Sequence, residues 1–203
     1  MSTIEVDKLT PQSGTSLTLG DSGDTFTIPS GVTITNNGTQ TGFGSNTDPF
    51  RNFIINGDMS IAQRSTSTNS IAGNGYHTID RIRLGGSSFG TFTQSQSTDV
   101  PSGQGFAKSL KMDCTTADAS PSAGSRLILQ QRIEGQNLQY LKKGTSSAES
   151  LTLSFWVRSN KTGTYIVNLY DADNTRNISK SYTISAADTW EKKTVTFAGD
   201  TTG

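Results

Sequence analysis

Residues 151–171 have the sequence LTLSFWVRSNKTGTYIVNLYD, and this stretch decides the fold class. Its first half alternates strictly between an apolar and a polar face. The apolar face holds Leu151, Leu153, Phe155 and Val157, and the polar face holds Thr152, Ser154, Trp156 and Arg158. Such period-2 alternation is typical of a half-buried antiparallel strand. The second half alternates again, and a polar, Gly-containing segment separates the two. The pattern predicts a β-hairpin over 151–171.

The rest of the chain favours short strands and many turns. Only 31% of its 203 residues are hydrophobic, and it contains 21 Gly. Further strands are predicted at 53–55, 59–61, 76–84, 89–94, 106–114, 126–134, 181–184 and 189–197, and one helix at 137–142. Short strands separated by turn signals are typical of an antiparallel sandwich. The sequence therefore predicts an all-β sandwich domain over 47–203.

Charge and composition exclude several classes of function. The 17 basic and 17 acidic residues balance, so no basic stripe points to a nucleic-acid partner. No apolar run is long enough to insert into a membrane. The N-terminal residues 1–5 lack the basic start and apolar core of a secretory signal, so we expect synthesis in a cytoplasm.

The first 46 residues differ from the remainder in how their apolar residues are distributed. Three brief alternating runs carry their apolar residues, namely Leu17, Leu19, Phe26, Ile28, Val32 and Ile34. So few apolar side chains cannot stabilise an independent fold. One alternative is a flexible leader. The other is a β shaft in which three copies intertwine and bury these residues along a threefold axis. The regular alternation favours the trimeric shaft.

The sequence offers little for catalysis. A single His77 cannot supply a metal-binding His pair, no Gly-x-Ser-x-Gly elbow is present, and the single Cys114 excludes a cysteine zinc cluster. Glycoside hydrolysis would need two acids at a controlled separation. Asp58, Asp80, Glu134 and Glu149 are candidates only because they are acids, and a structural role is expected for each. We therefore predict a non-enzymatic protein without cofactor or metal.

A binding surface is the stronger hypothesis. Sugars are held by aromatic faces and by polar side chains that match their hydroxyl groups. If the strands of the second half pair as neighbours, such a surface forms from Trp156, Arg158, Asn168, Tyr170 and Trp190. The alternative is that both tryptophans pack under a second layer, a loop or another subunit.

Four motifs carry a family resemblance. They are NFIINGDMSIAQR at 52–64, the step from Tyr76 to Ile79-Asp80-Arg81, QRIEGQNLQYL at 131–141 and LTLSFWVRSNKTGTY at 151–165. In this order they resemble modules common in bacteriophage tail fibres, especially those of marine and cyanobacterial hosts. More broadly they are similar to jelly-roll carbohydrate-binding modules. The stretch at 16–38 resembles the leader that often precedes such modules.

The resemblance implies a homotrimeric virion tail fibre made in the host cytoplasm. Its N-terminal segment would join phage tail proteins, and its distal jelly roll would meet a host surface glycan, either lipopolysaccharide or capsule. The chain departs from the pattern in three places. Met59-Ser60 replaces an acidic residue that often helps to hold calcium, and Ile82 replaces a Trp. Such modules also continue past the Thr-Trp strand, which leaves open whether the sandwich is complete at Gly203.

Two other classes of function stay open at this point. One is a carbohydrate-binding module appended to a glycan-active enzyme, against which the self-associating leader argues. The other is a purely structural virion spacer without a ligand. The fold class does not decide among the three.

Overall fold

The computed structural model describes residues 52–203 and, before them, only residues 11, 13–16, 23, 25, 27, 30 and 31. The chain divides into two units, Met1–Phe50 and Arg51–Gly203. All six residues predicted for the trimeric core, Leu17, Leu19, Phe26, Ile28, Val32 and Ile34, lie outside the described residues. The shaft and its boundary at residue 46 therefore stay predictions.

The described part of the chain is almost entirely β-structure, which confirms the all-β prediction. Its strands are β1 (Ser67–Ile71), β2 (Gly75–Tyr76), β3 (Arg83–Ser87), β4 (Thr91–Ser97), β5 (Ser109–Thr116), β6 (Arg126–Gln130), β7 (Leu151–Val157), β8 (Gly163–Asp171), β9 (Arg176–Ile184) and β10 (Glu191–Phe197). One 3-10 helix, Gly135–Leu141, lies where the helix was predicted. It is far shorter than the roughly 20 residues that a helix needs to cross a bilayer, and no other helix is described.

The strands form four antiparallel sheets. Two sheets have three strands, in the orders β1-β4-β5 and β2-β3-β6, and two are pairs, β7 with β10 and β8 with β9. The predicted hairpin over 151–171 is therefore wrong, although both of its strands form. β7 pairs with β10 along its whole length, from Val157 opposite Glu191 to Leu151 opposite Phe197. The segment between β7 and β8 crosses from one pair to the other.

The crossing places β7 and β8 in different strand pairs, and these two pairs stack face to face. The ring of Phe155 on β7 meets the ring of Tyr182 on β9 edge to face, with centroids 5.0 Å apart. Tyr182 also stacks on Tyr165, its partner on β8, at 5.7 Å. The two pairs thus form the layers of a sandwich, with a core that includes the buried Ile184, Val195 and Phe197.

The predicted strand pieces at 53–55 and 59–61 do not form. Side-chain amides bind the backbone of this segment in place of a neighbouring strand. Gln131 accepts a hydrogen bond from Ile55 N at 2.8 Å and donates one to Ile55 O at 2.7 Å. Gln96 donates to Met59 O at 2.7 Å and to Ser60 O at 2.9 Å. These bonds satisfy backbone groups that a strand would otherwise need a partner to satisfy.

A buried amide also organises the first half of the sandwich. Gln94 on β4 is fully buried. Its Oε1 accepts a hydrogen bond from Thr78 N at 2.9 Å, and the Thr78 hydroxyl donates to Gln94 O at 3.1 Å. Thr78 lies in the turn between β2 and β3, where a single strand over 76–84 was predicted. Gln94 therefore fixes this turn against the sheet that contains β4.

The burial of Phe197 gives a stability prediction. Its side chain is 1% exposed, so Phe197→Ala should lower the free energy of unfolding by about 3–5 kcal/mol, the usual cost of emptying a buried phenylalanine site. Phe106→Ala is the matched control, because Phe106 is 37% exposed and should cost much less. Urea unfolding of the full chain measures both. Equal losses would contradict the assignment of Phe197 to the core.

Candidate functional site

One outward face of the sandwich combines both tryptophans of the chain. It is the outer face of the β7–β10 pair, which we call the tryptophan face. Because alternate residues of β7 and β10 point into the core, the intervening ones point away from it. Its members are Thr152, Ser154, Trp156, Arg158, Trp190, Lys192, Thr194 and Thr196. The two indoles are half-buried and the other six residues are exposed.

The strand register sets the spacing on the tryptophan face. Trp156 lies opposite Lys192, and Thr152 lies opposite Thr196, with their hydroxyl oxygens 2.9 Å apart. Arg158 directly follows the last residue of β7, and Trp190 directly precedes the first residue of β10. Arg158 and Trp190 therefore lie at the same end of the strand pair. Trp190 therefore lies near the end of the pair that carries Trp156. Hydroxyl groups line the remainder of the surface.

An aspartate from the first half of the chain fixes the end of this face. Asp99, in the loop after β4, accepts a hydrogen bond from Trp190 Nε1 at 2.9 Å and pairs with the guanidinium of Arg158. Arg158 Nε also donates to Asp188 O at 2.9 Å. One carboxylate thus orients an indole and a guanidinium. The side chains of Arg158 and Asp99 are 34% and 51% exposed, so their ion pair adds little to stability. Its main effect is to orient the two side chains.

A second carboxylate positions the turn that carries Trp190. Glu191 accepts hydrogen bonds from Ser185 N and Ala186 N, both at 2.9 Å, and pairs with Lys193 Nζ at 2.5 Å. The hydrogen bond from Lys193 is the main reason that the pKa of Glu191 falls from its ordinary 4.5 to about 2, and the bonds from the backbone add to it. The turn between β9 and β10 is therefore held by a group that stays ionised in mild acid.

Two of the predicted binding residues lie elsewhere. Asn168 and Tyr170 are on the outer face of the β8–β9 pair, because β8 pairs with β9 and not with β7. Tyr170 is 60% exposed, and the Asn168 amide donates to Ser179 Oγ at 2.8 Å. Since the inner faces of the two pairs meet, these residues point to the opposite side of the sandwich from Trp156. The structure unites Trp156, Arg158 and Trp190, and the five predicted residues do not form one surface.

Each of the four acids that were considered for glycoside hydrolysis binds a protein group in the folded chain. The partners are Ser60 for Asp58, Arg64 and Gln63 N for Asp80, Arg81 for Glu134, and Lys142 for Glu149. The hydrogen bond from Arg81 lowers the pKa of Glu134, whereas a general acid for this chemistry needs a raised one. Among the residues that the structure describes, no group of three or more His, Cys, Asp and Glu could hold a metal ion.

The tryptophan face has the chemistry of a surface that binds polyhydroxylated ligands. Half-exposed indoles offer π-faces to C–H groups, and the neighbouring hydroxyls and Lys192 offer hydrogen bonds. The sequence pattern identified both tryptophans and Arg158, because each lies on the polar side of its predicted strand. It did not identify Asp99, which belongs to no alternating pattern. Comparisons with protein-family models, curated proteins and solved structures found no match.

The lowered pKa of Glu191 predicts how stability depends on pH. The folded chain protonates this carboxylate near pH 2 and the unfolded chain near 4.5, so the contribution is present above pH 4.5 and is lost as the pH falls towards 2. Glu191→Gln should lower stability at pH 7 and flatten the loss between pH 4.5 and 2. Urea midpoints across this range measure the effect.

The matched control for this test is Glu149→Gln. It removes the same charge from an exposed ion pair with Lys142, so we expect a smaller change at pH 7. A Glu191→Gln variant with the same stability as the wild type at pH 7 would show that the carboxylate does not hold the turn.

Proposed function

We propose that this chain belongs to a bacteriophage tail fibre and that its sandwich attaches the virion to host surface glycans, without catalysing a reaction. The observation that carries the proposal is the tryptophan face, where Trp156 and Trp190 lie together on an outward sheet surface lined by hydroxyl groups. The ordered motifs at 52–64, 131–141 and 151–165 support the fibre setting through their family resemblance.

The composition of the face suits a glycan. An indole packs against the C–H face of a sugar ring and loses little conformational entropy when it does so. Thr194 and Ser154 lie opposite each other, are exposed and can match sugar hydroxyls beside the indoles. Lys192 is exposed next to Trp156 and would attract an anionic polymer such as lipopolysaccharide or capsule. The half-burial of both indoles keeps their planes fixed before a ligand arrives, which lowers the entropic cost of binding.

A trimer would make such a surface effective. A single open face binds a sugar weakly, but three linked faces convert later binding events into intramolecular ones, and avidity can exceed the single-site affinity by about 10²–10⁴. In the proposed fibre, the apolar residues of 1–46 form the trimeric shaft. The segment before about residue 20 would join a tail protein by adding a strand to one of its sheets.

Binding to a panel of bacterial glycans tests the function. Trp156→Ala should weaken binding of the full chain by about tenfold or more, because it removes the central aromatic contact. Trp190→Ala should act in the same direction. Tyr170→Ala is the matched control, since it removes an exposed aromatic ring from the opposite side of the sandwich and should leave binding unchanged.

Two outcomes would count against the proposal. If Tyr170→Ala abolishes binding and Trp156→Ala does not, the ligand meets the β8–β9 face instead. If neither the wild-type protein nor the tryptophan variants adsorb to host cells, the chain is better described as a structural spacer. Thermal unfolding of each variant shows whether a loss of binding reflects a loss of fold.

The solution molar mass tests the trimer. The full chain has a mass of 21.6 kDa, so light scattering should give three times this value. A version that lacks residues 1–46 should be monomeric, because the apolar residues proposed to hold the shaft are gone. A full chain that is monomeric at micromolar concentration would exclude the threefold shaft.

A further inference from the structure

We propose a second binding site, for a sugar unit that carries a carboxylate, in a surface cavity away from the tryptophan face. The cavity has a volume of about 390 Å³, within the range of small-ligand sites. Its lining is Ile61, Gln63, Arg64, Tyr76, Asp80 and Arg81, and we call it the arginine cavity. The inference rests on the proposed glycan-binding function and adds a class of ligand to it.

One side chain holds the two walls of the arginine cavity together. Asn56 accepts a hydrogen bond from Ile61 N at 2.9 Å and donates to Ile61 O at 2.9 Å and to Asp80 O at 3.0 Å. Asp80 N also donates to Ile61 O at 3.1 Å. The segment that contains Gln63 and Arg64 is thereby fixed against the turn that contains Asp80 and Arg81. The walls are ordered before any ligand arrives, as an effective site requires.

The exposed part of the cavity is cationic and aromatic. Arg64 lies over the ring of Tyr76, with its Cζ 5.7 Å from the ring centroid, and donates to Asp80 at 2.7 Å. The Arg64 side chain is 53% exposed, whereas that of Asp80 is 16% exposed. The carboxylate therefore holds the guanidinium from below and leaves it facing solvent. Arg81 donates to both oxygens of Glu134, at 2.9 and 3.0 Å, but in this pair the carboxylate is the more exposed partner.

These groups favour a carboxylated sugar. A guanidinium presents its donors in a planar fork that matches a carboxylate. Tyr76 and Ile61 are exposed beside it and can meet the C–H face of a sugar ring. Asp80 and Glu134 offset the charges of Arg64 and Arg81, so an anion would be held by the remaining guanidinium N–H donors. The two carboxylates would repel a singly charged carboxylate less than a doubly charged phosphate. The preferred ligand is therefore a uronic-acid type of unit within an acidic glycan.

The test compares two probes that differ only at the carboxylate. The full chain is titrated with methyl glucuronide and with methyl glucoside, and amide chemical shifts are followed by NMR. We expect the glucuronide to bind at least about tenfold more tightly, as a charged hydrogen bond predicts, with shifts at residues 61–64 and 76–81. Arg64→Gln should remove this preference, and Arg64→Lys should keep only part of it because the fork is lost.

Arg126→Gln is the matched control, since it removes an exposed arginine on β6 that does not line the cavity. Equal binding of the two probes, shifts confined to other residues, an equal loss in Arg126→Gln, or tighter binding of inorganic phosphate would each overturn the proposal. The localisation of shifts in the wild-type chain does not depend on whether a variant folds. A negative result for the arginine cavity would leave the Trp156-dependent binding in the glycan panel unaffected. The two experiments therefore distinguish an error about the cavity from an error about the glycan-binding function.

Discussion

The stacking of the β7–β10 pair on the β8–β9 pair is the constraint on which the candidate site depends. Phe155 on β7 meets Tyr182 on β9 across the two pairs, and Tyr182 stacks on Tyr165 within its own pair. β7 and β8 therefore lie in different layers, and β7 has β10 as its partner. That partnership brings Trp156 and Trp190 onto one outward face. The same step sends Tyr170 to the other side of the sandwich.

A chain with so few hydrophobic residues needs further means of holding distant segments together, and side-chain amides supply them. Gln94 connects a buried turn to β4, while Asn56, Gln96 and Gln131 bind the backbone of residues 55–61. An amide can donate and accept at once, so it can take the place of a strand partner. The arginine cavity depends on one of these amides, and the tryptophan face depends on the carboxylate of Asp99 in a comparable way.

The two proposed sites differ in what they would recognise. The tryptophan face is an open surface of aromatic rings and hydroxyls, suited to the extended ring surface of a polysaccharide. The arginine cavity is smaller and charged, suited to a single acidic unit. A module with both kinds of site would recognise both the neutral and the acidic units of a polymer that contains them. Linked binding events of this kind raise selectivity as well as avidity.

The fold class, most strands and the polar side of each strand on which Trp156, Arg158 and Trp190 lie were predictable from the sequence, because period-2 alternation is a local property. The sequence did not determine that β7 pairs with β10 and not with β8, since alternation fixes faces and not partners. It also did not reveal Asp99, which contacts Trp190 across 91 residues of chain, or the amides that replace strands at 53–61. These features depend on the tertiary structure, because residues far apart in the chain bury each other's apolar faces and satisfy each other's polar groups.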